Sequence, residues 1–345
     1  MMGNNGRSAA TTIGRMTRYG AVIGAMSLVL AGCGGQRSEG NGATAAQPTS
    51  CEVTSDARLS IATGNTTGVY YVLGGGLAQL ISNNTKLRAT ASETGASVQN
   101  IQQLVAGNYD VAFSLADTAA DAVRGQGSFT APQQVQALAR IYSNYTHVVV
   151  QRSAGITTMA DFRGKRISTG SPKSGTEVIA NRLLQAAGLN PETDVQPQRL
   201  ELGKTVDAMK DGSIDGFVWS GGLPTGGVTD LFTSAGDRVQ FIDISDLLPK
   251  MKEINPVYAE GTVPAATYGT AGDVRTIVVP NLLLVRNDFP AGNACAITRL
   301  MFDKKADLEK VHPAAKELDP KVAVDTAPVE LAPGARTALQ QLGGT

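Results

Sequence analysis

The succession RLSIAT–GNTTG–VYYVLGGGLAQLISN, from residue 58 onward, most restricts how this chain can fold. An apolar strand runs through a few small polar residues straight into a helical period. LRATAS (87–92) then leads through a second small-residue turn, ETGAS, to the helix VQNIQQLVAG, which stops at Gly107 and is followed by the strand YDVAFS. Strand–helix–strand–helix–strand implies a parallel sheet with crossover helices.

Residues 135–151, VQALARIYSNYTHVVVQ, read as a helix-or-strand segment with a strand at 147–151. The pattern then restarts. A strand at 165–169 precedes the polar cluster SPKSG, a helix at 175–187 stops at Gly188, and a strand is expected near VQPQRLEL. TVDAMKDG forms a short helix ended by Gly212, and IDGFVWS is a strand. Beyond residue 250 the pattern loosens. RTIVVPNLLLVRND reads as a long strand with Pro280 at an edge or crossing point. A helix at 288–305 and an amphipathic stretch at 333–342 follow. Two similar α/β halves with late segments returning across them predict a two-lobed α/β protein with a cleft between lobes. The expected division is 58–146 for the first lobe, 147–260 for the second, and 261–345 for crossing strands and C-terminal helices returning to the first.

The first 33 residues are not expected to belong to the fold. Arg7, Arg15 and Arg18 precede a 12-residue apolar run, YGAVIGAMSLVL. Spanning a membrane as a helix takes about 20 residues, whereas this length fits a signal-peptide core. The run ends in Leu-Ala-Gly-Cys, which resembles a bacterial lipobox, so Cys33 is expected to be lipidated and to start the mature chain. Residues 34–57 are small and polar and read as a flexible tether with a reach of roughly 25–30 Å. The expected location is therefore outside the cytoplasmic membrane, lipid-anchored on its outer face. Two further thiols remain, Cys51 and Cys295. In an oxidising compartment they suggest one disulfide, with two free thiols as the alternative.

Thirty basic and thirty acidic residues leave no net charge, which argues against a nucleic-acid partner. Only two histidines occur, His147 and His312, so the usual general base is scarce. Neither a P-loop nor a nucleotide-binding glycine fingerprint sits at the helix mouths. No G-x-S-x-G and no metal-ligand spacing of Cys and His occurs. No cofactor or metal is expected, and the scarcity of histidine lowers the expectation of a hydrolytic enzyme. In open α/β sheets ligands lie beyond the carboxyl ends of strands, and two turns stand out there, 63–71 and 171–177. Each combines hydroxyls with the free N–H groups and positive dipole end of a helix. Simple capping is the plain reading of one such turn; two of them, one per lobe, point to a small carboxylate ligand. Of Tyr70 and Tyr71, one is expected at the cleft and the other in the core. Trp219, beside a glycine-rich loop, is a candidate cleft wall. His147 is expected to be a satisfied polar group in its strand, and His312 an exposed helix end.

Several stretches together resemble the TAXI family of solute receptors, the extracytoplasmic partners of TRAP transporters. They are IATGNTTGVYYVLGGGLAQLI, SVQNIQQLVAGNYDVAFSLAD, GITTMADFRGKRISTGSPKSGTEVIANRLLQAAGL, AMKDGSIDGFVWSGGLPTGGVTDL, TVPAATYG, VPNLLLVRNDFP and HPAAKEL, and they span about residues 59–318. The resemblance implies a periplasmic-binding-protein-like (type II) fold that binds a small organic anion, such as a glutamate-like amino acid or a dicarboxylate. It implies delivery to a multi-pass TRAP permease driven by an ion gradient, with an ATP-driven importer as the alternative and an exported enzyme on the same scaffold as a further one. Its ligand-binding positions map to Gly64, Asn65, Thr67, Gly68 and Tyr70, to Ser171, Ser174, Gly175 and Thr176, and to Trp219, Gly221 and Thr225. The sequence departs from the family at Asn65, commonly Gly, at Val72, commonly Pro, and at Leu115-Ala116, often Gln-Ser. The loss of two polar groups there implies a smaller or more apolar solute. With balanced charge and the apolar run removed, the exported protein is expected to be a monomer.

Overall fold

A computed structural model describes residues 51–53 and 56–344. The expected leader, Cys33 and residues 34–50 of the tether lie outside the described residues. Ten strands form one sheet: β1 (Arg58–Ala62), β2 (Arg88–Ser92), β3 (Val111–Leu115), β4 (Val135–Gln151), β5 (Arg166–Ser168), β6 (Gln196–Gln198), β7 (Gly216–Gly221), β8 (Val239–Phe241), β9 (Ala259–Val263) and β10 (Val274–Arg286). Their order is β2-β1-β3-β10-β4-β7-β5-β6, with β8 paired to β4 and β9 to β10. The strand-to-helix turns deliver α1 (Val69–Asn84), α2 (Ser97–Val105), α3 (Ala116–Arg124), α4 (Gly175–Ala186), α5 (Leu202–Asp211) and α6 (Gly226–Ala235).

β1 is parallel to β2 and β3, and β5 is parallel to β6 and β7, so each half has its own parallel portion. All five residues of β3, VAFSL, are buried, as expected of a strand covered on both faces. The larger core includes Ile61, Ile101, Phe113 and Leu138. A second gathers Leu202, Met209, Phe217 and Leu231.

β4 joins the halves. Its 17 residues form one strand, roughly 55 Å long at about 3.3 Å per residue. The first part pairs with β10 and the second with β7. The expected lobe boundary at 146/147 therefore falls inside a continuous strand, and 135–146 is strand throughout. β10 crosses in the opposite sense. β9 covers its residues 274–278 and β3 its residues 281–284. Pro280 lies where one neighbour gives way to the other, beside a register shift against β4. Its missing N–H costs the ladder nothing there, so it marks a crossing point in a central strand rather than an edge.

Helix Ala291–Asp303 packs on α1 and against helix Pro333–Gln341. Cys295 in the first of these stands with its Cα 4.8 Å from that of Cys51, the two sulfurs placed as a disulfide. Val53 also packs on the core. The expected tether therefore ends by Cys51 rather than at residue 57, because the disulfide and Val53 dock the segment onto the fold.

Candidate functional site

Three helix mouths converge on one cavity of about 30 Å³. Gly68, Val69 and Tyr70 bring the start of α1, Ala96 and Ser97 that of α2, and Ser174, Gly175 and Thr176 that of α4. Leu115 at the end of β3, Tyr142 and Asn144 in β4, and Trp219 to Gly221 in β7 complete the wall. A water molecule needs about 10–15 Å³ on this measure, so the space suits a ligand the size of two or three waters. No side chain caps α1 or α2. Their first-turn N–H groups and dipole ends favour negative charge at such a place.

The approach of the walls is set by glycine. A Cβ on Gly175 would lie 2.5 Å from Leu115 Cδ1 and 2.7 Å from Ser97 Oγ, so any other residue there would force those side chains of the opposite half to shift. A Cβ on Gly68 would similarly crowd the Trp219 ring at 3.3 Å. The halves are also tied directly. The Gln99 N–H donates to the Lys173 carbonyl over 3.0 Å. Asn65 Oδ1 accepts from Ser171 Oγ at 3.2 Å and from the Leu202 N–H at 3.1 Å.

Ala96 is strained. Its φ of 77° and ψ of −151° fall in a region that is essentially glycine's and costs of order 1–3 kcal/mol. The surroundings impose it. Ala96 N–H donates to Thr94 Oγ1, which itself donates to Asn100 Oδ1, and Asn100 Nδ2 donates to the Thr63 and Phe113 carbonyls.

Hydrogen bonding divides the wall into satisfied and unsatisfied groups. Asn144 donates to the Ser220 carbonyl and accepts from Asn281, and Tyr70 Oη donates to Asn281 Oδ1 at 2.5 Å. Among the described residues three buried side-chain polar atoms have no partner, and two of them, Tyr142 Oη and Ser220 Oγ, are on residues of this wall. The third is on Thr146, the register partner of Ser220. Tyr142 is 2% exposed and Ser220 6%, so bulk water does not satisfy them. Burial above all pushes the Tyr142 phenol well up, which keeps it a hydroxyl able to donate. Such orphaned buried groups are rare and call for a reason.

Among the described residues no Asp, Glu, His, Lys or Arg lines the cavity. Buried charge is instead collected between α3 and α4. Arg182 meets Asp117 at 2.9 Å and Asp121 at 2.5 Å, while Tyr258 Oη contacts both Asp117 and Arg182. Burial raises the Asp121 carboxyl, opposed by the Arg182 guanidinium.

Of the twelve expected ligand positions, nine line the cavity: Gly64, Asn65, Gly68, Tyr70, Ser174, Gly175, Thr176, Trp219 and Gly221. Three do not. Ser171 serves as the partner of Asn65. Thr225 donates to the Gly222 carbonyl and accepts from Trp219 Nε1 at 3.3 Å, which fixes the indole from behind. Thr67 is exposed, with its carbonyl beside Gly226 at the start of α6. Ser174 is an N-cap, accepting from the Glu177 N–H at 3.0 Å, so at this residue the plain capping reading is right. Thr176 Oγ1 accepts from the Ser220 N–H and retains its own proton to donate.

Tyr70 is both core and wall, packing on Phe113, whereas Tyr71 is exposed instead of buried in the core. His147 is fully buried, bonded at Nδ1 to the Tyr145 carbonyl and at Nε2 to Tyr268, and burial lowers its pKa to about 4. His312 is not an exposed helix end. It is half-buried, reaches the Pro224 carbonyl at 3.0 Å and accepts from the Ala314 N–H. Sequence reasoning missed Ser97, Tyr142, Asn144 and Ser220, whereas Leu115, singled out as a departure from the family, does line the cavity. The turn ETGAS carried the same signature as the other two mouths, and the polar run YSNYT inside a strand marked β4.

Residues 61–343 match the NMT1-like family. Among solved structures, a protein from Bordetella bronchiseptica RB50 is 20% identical, covering 82% of this chain and 88% of its own, with a TM-score of 0.51. A binding protein component of an ABC phosphonate transporter from Pseudomonas aeruginosa is 11% identical, covering 75% and 79%, with a TM-score of 0.52. At these identities the likeness shows the fold, a mixed α/β arrangement of the type II periplasmic-binding-protein kind.

Proposed function

The chain belongs to the NMT1-like family, and from that premise we propose that it is an extracytoplasmic solute receptor whose cleft binds a small organic anion for delivery to a membrane permease. The observation that carries this reading is the pair of unpartnered buried hydroxyls, on Tyr142 and Ser220, two residues that line a cavity onto which three helix N-termini open. A ligand oxygen would satisfy the hydroxyls and the free first-turn N–H groups together. The protein acts as a binder and not as an enzyme: among the described residues the cavity wall holds no Asp, Glu, His, Lys or Cys, and burial raises the phenols of its two tyrosines, so no general base is positioned there.

The TAXI-like segments support an ion-driven TRAP permease as the recipient. The fold shared with the binding component of an ABC transporter favours the alternative, an ATP-driven importer. Uptake that stops when the ion gradient is collapsed at constant ATP supports the first; uptake that survives contradicts it. Lipidation at Cys33 would anchor the receptor on the outer face of the cytoplasmic membrane, and a mature N-terminus at another residue would contradict that.

The binding reading is tested by thermal shift across a library of organic acids and amino acids. A true ligand raises stability by RT ln(1 + [L]/Kd). A library in which no anion shifts the midpoint contradicts the proposal, as does conversion of the bound compound into a product.

A further inference from the structure

The wall also bears on which anion is bound. We propose that the cavity selects a compact monocarboxylate with a short apolar tail and no amino group, of the size of acetate or propionate; this rests on the receptor reading above. One carboxylate would be met by the helix mouths and by the Thr176 hydroxyl, and a small shift of the wall would bring in the unpartnered hydroxyls of Tyr142 and Ser220. Nothing provides for a second charge. An α-ammonium group would have to leave water and meet a wall without a carboxylate, and a second carboxylate a wall without Lys, Arg or His. The apolar part of the wall, from Val69, Leu115 and the Trp219 indole, is left for the rest of the ligand. Size agrees: about 30 Å³ favours a short chain over a glutamate-length one. Trp219 sets that limit, because Thr225 holds its Nε1 and the Gly68 backbone packs on its ring. The glutamate-like amino acids and dicarboxylates that the family resemblance implies are therefore replaced by a smaller solute.

The test compares propionate with L-alanine, which adds only an amino group, and with succinate, which adds only a carboxylate. Titration calorimetry on the exported protein is expected to show propionate binding about tenfold or more tighter than either. Trp219→Ala is expected to let pentanoate bind as well as propionate, where the unaltered protein prefers propionate. L-alanine, succinate or inorganic phosphate binding as tightly as propionate overturns the assignment while leaving a receptor. Failure of these and of every other anion in the library overturns the receptor reading and the assignment together.

Discussion

Two buried polar clusters of this molecule obey opposite rules. Between α3 and α4, Arg182, Asp117, Asp121 and Tyr258 bring charge into the interior and partner it closely, every pair within 3.0 Å. Around the cavity there is no charged side chain among the described residues, yet two hydroxyls have no partner and one alanine sits in a glycine conformation. The charged cluster is complete without anything added, as a structural network must be. The neutral one is incomplete, and its missing partners are all of a kind that an anion's oxygens supply. The difference teaches where to look for function: at the unsatisfied neutral group rather than at the buried charge.

Three perturbations sharpen this contrast, taken from the largest effect downward. Arg182→Met removes the cation from a cluster of two carboxylates and should destabilise the protein by about 3–5 kcal/mol. Urea denaturation measures it, and a loss below about 1 kcal/mol would mean that the cluster is not the structural member of the pair.

His147, a second fully partnered group, predicts a pH dependence. Its pKa falls from 6.5 to about 4 on folding, so the unfolded chain takes up the proton first as pH drops. The contribution is whole above pH 6.5 and is lost between pH 6.5 and 4, amounting to about 3 kcal/mol at about 1.36 kcal/mol per pKa unit. His147→Gln should flatten the stability profile across that window; an unchanged slope would assign the dependence elsewhere.

On the cavity side, Ala96→Gly relieves a strained backbone and should raise stability by about 1 kcal/mol, the gain being reduced by the freer unfolded chain. A loss on chemical denaturation would show that the conformation is not strained.

How much of this could be read from the sequence follows the same division. Strand, small-residue turn and helix start are local features, and they were legible at RLSIAT–GNTTG–VYY and at SPKSGTEV. Gly64, Gly68, Tyr70, Gly175 and Thr176, which those turns carry, lie in the cavity wall. β4 was only half legible, since Tyr142, Ser143, Asn144 and Thr146 interrupt its apolar pattern. Those polar residues sit in a strand interior because Asn144 bonds across to Ser220 and Asn281, partners 76 and 137 residues away. Ser220 and Tyr142 were missed for a related reason. Lack of a partner is a property of the packed interior, and no local pattern encodes it. Asn65, by contrast, was assigned to the ligand from its turn, and its carbonyl oxygen is occupied by Ser171 and Leu202 from the far side of the cleft.

The central claim, that the unpartnered hydroxyls mark a ligand site, is tested most directly by Tyr142→Phe. The variant is to be compared with the unaltered protein for melting midpoint without ligand and for affinity toward the tightest-binding acid of the library. Removing a buried hydroxyl that lacks a partner should leave the midpoint unchanged or raise it. Affinity should fall by roughly 10- to 150-fold, the equivalent of a hydrogen bond to a charged group of about 1.5–3 kcal/mol. A lower midpoint with a dissociation constant within about twofold of the unaltered protein's would make Tyr142 a structural residue and would contradict the account.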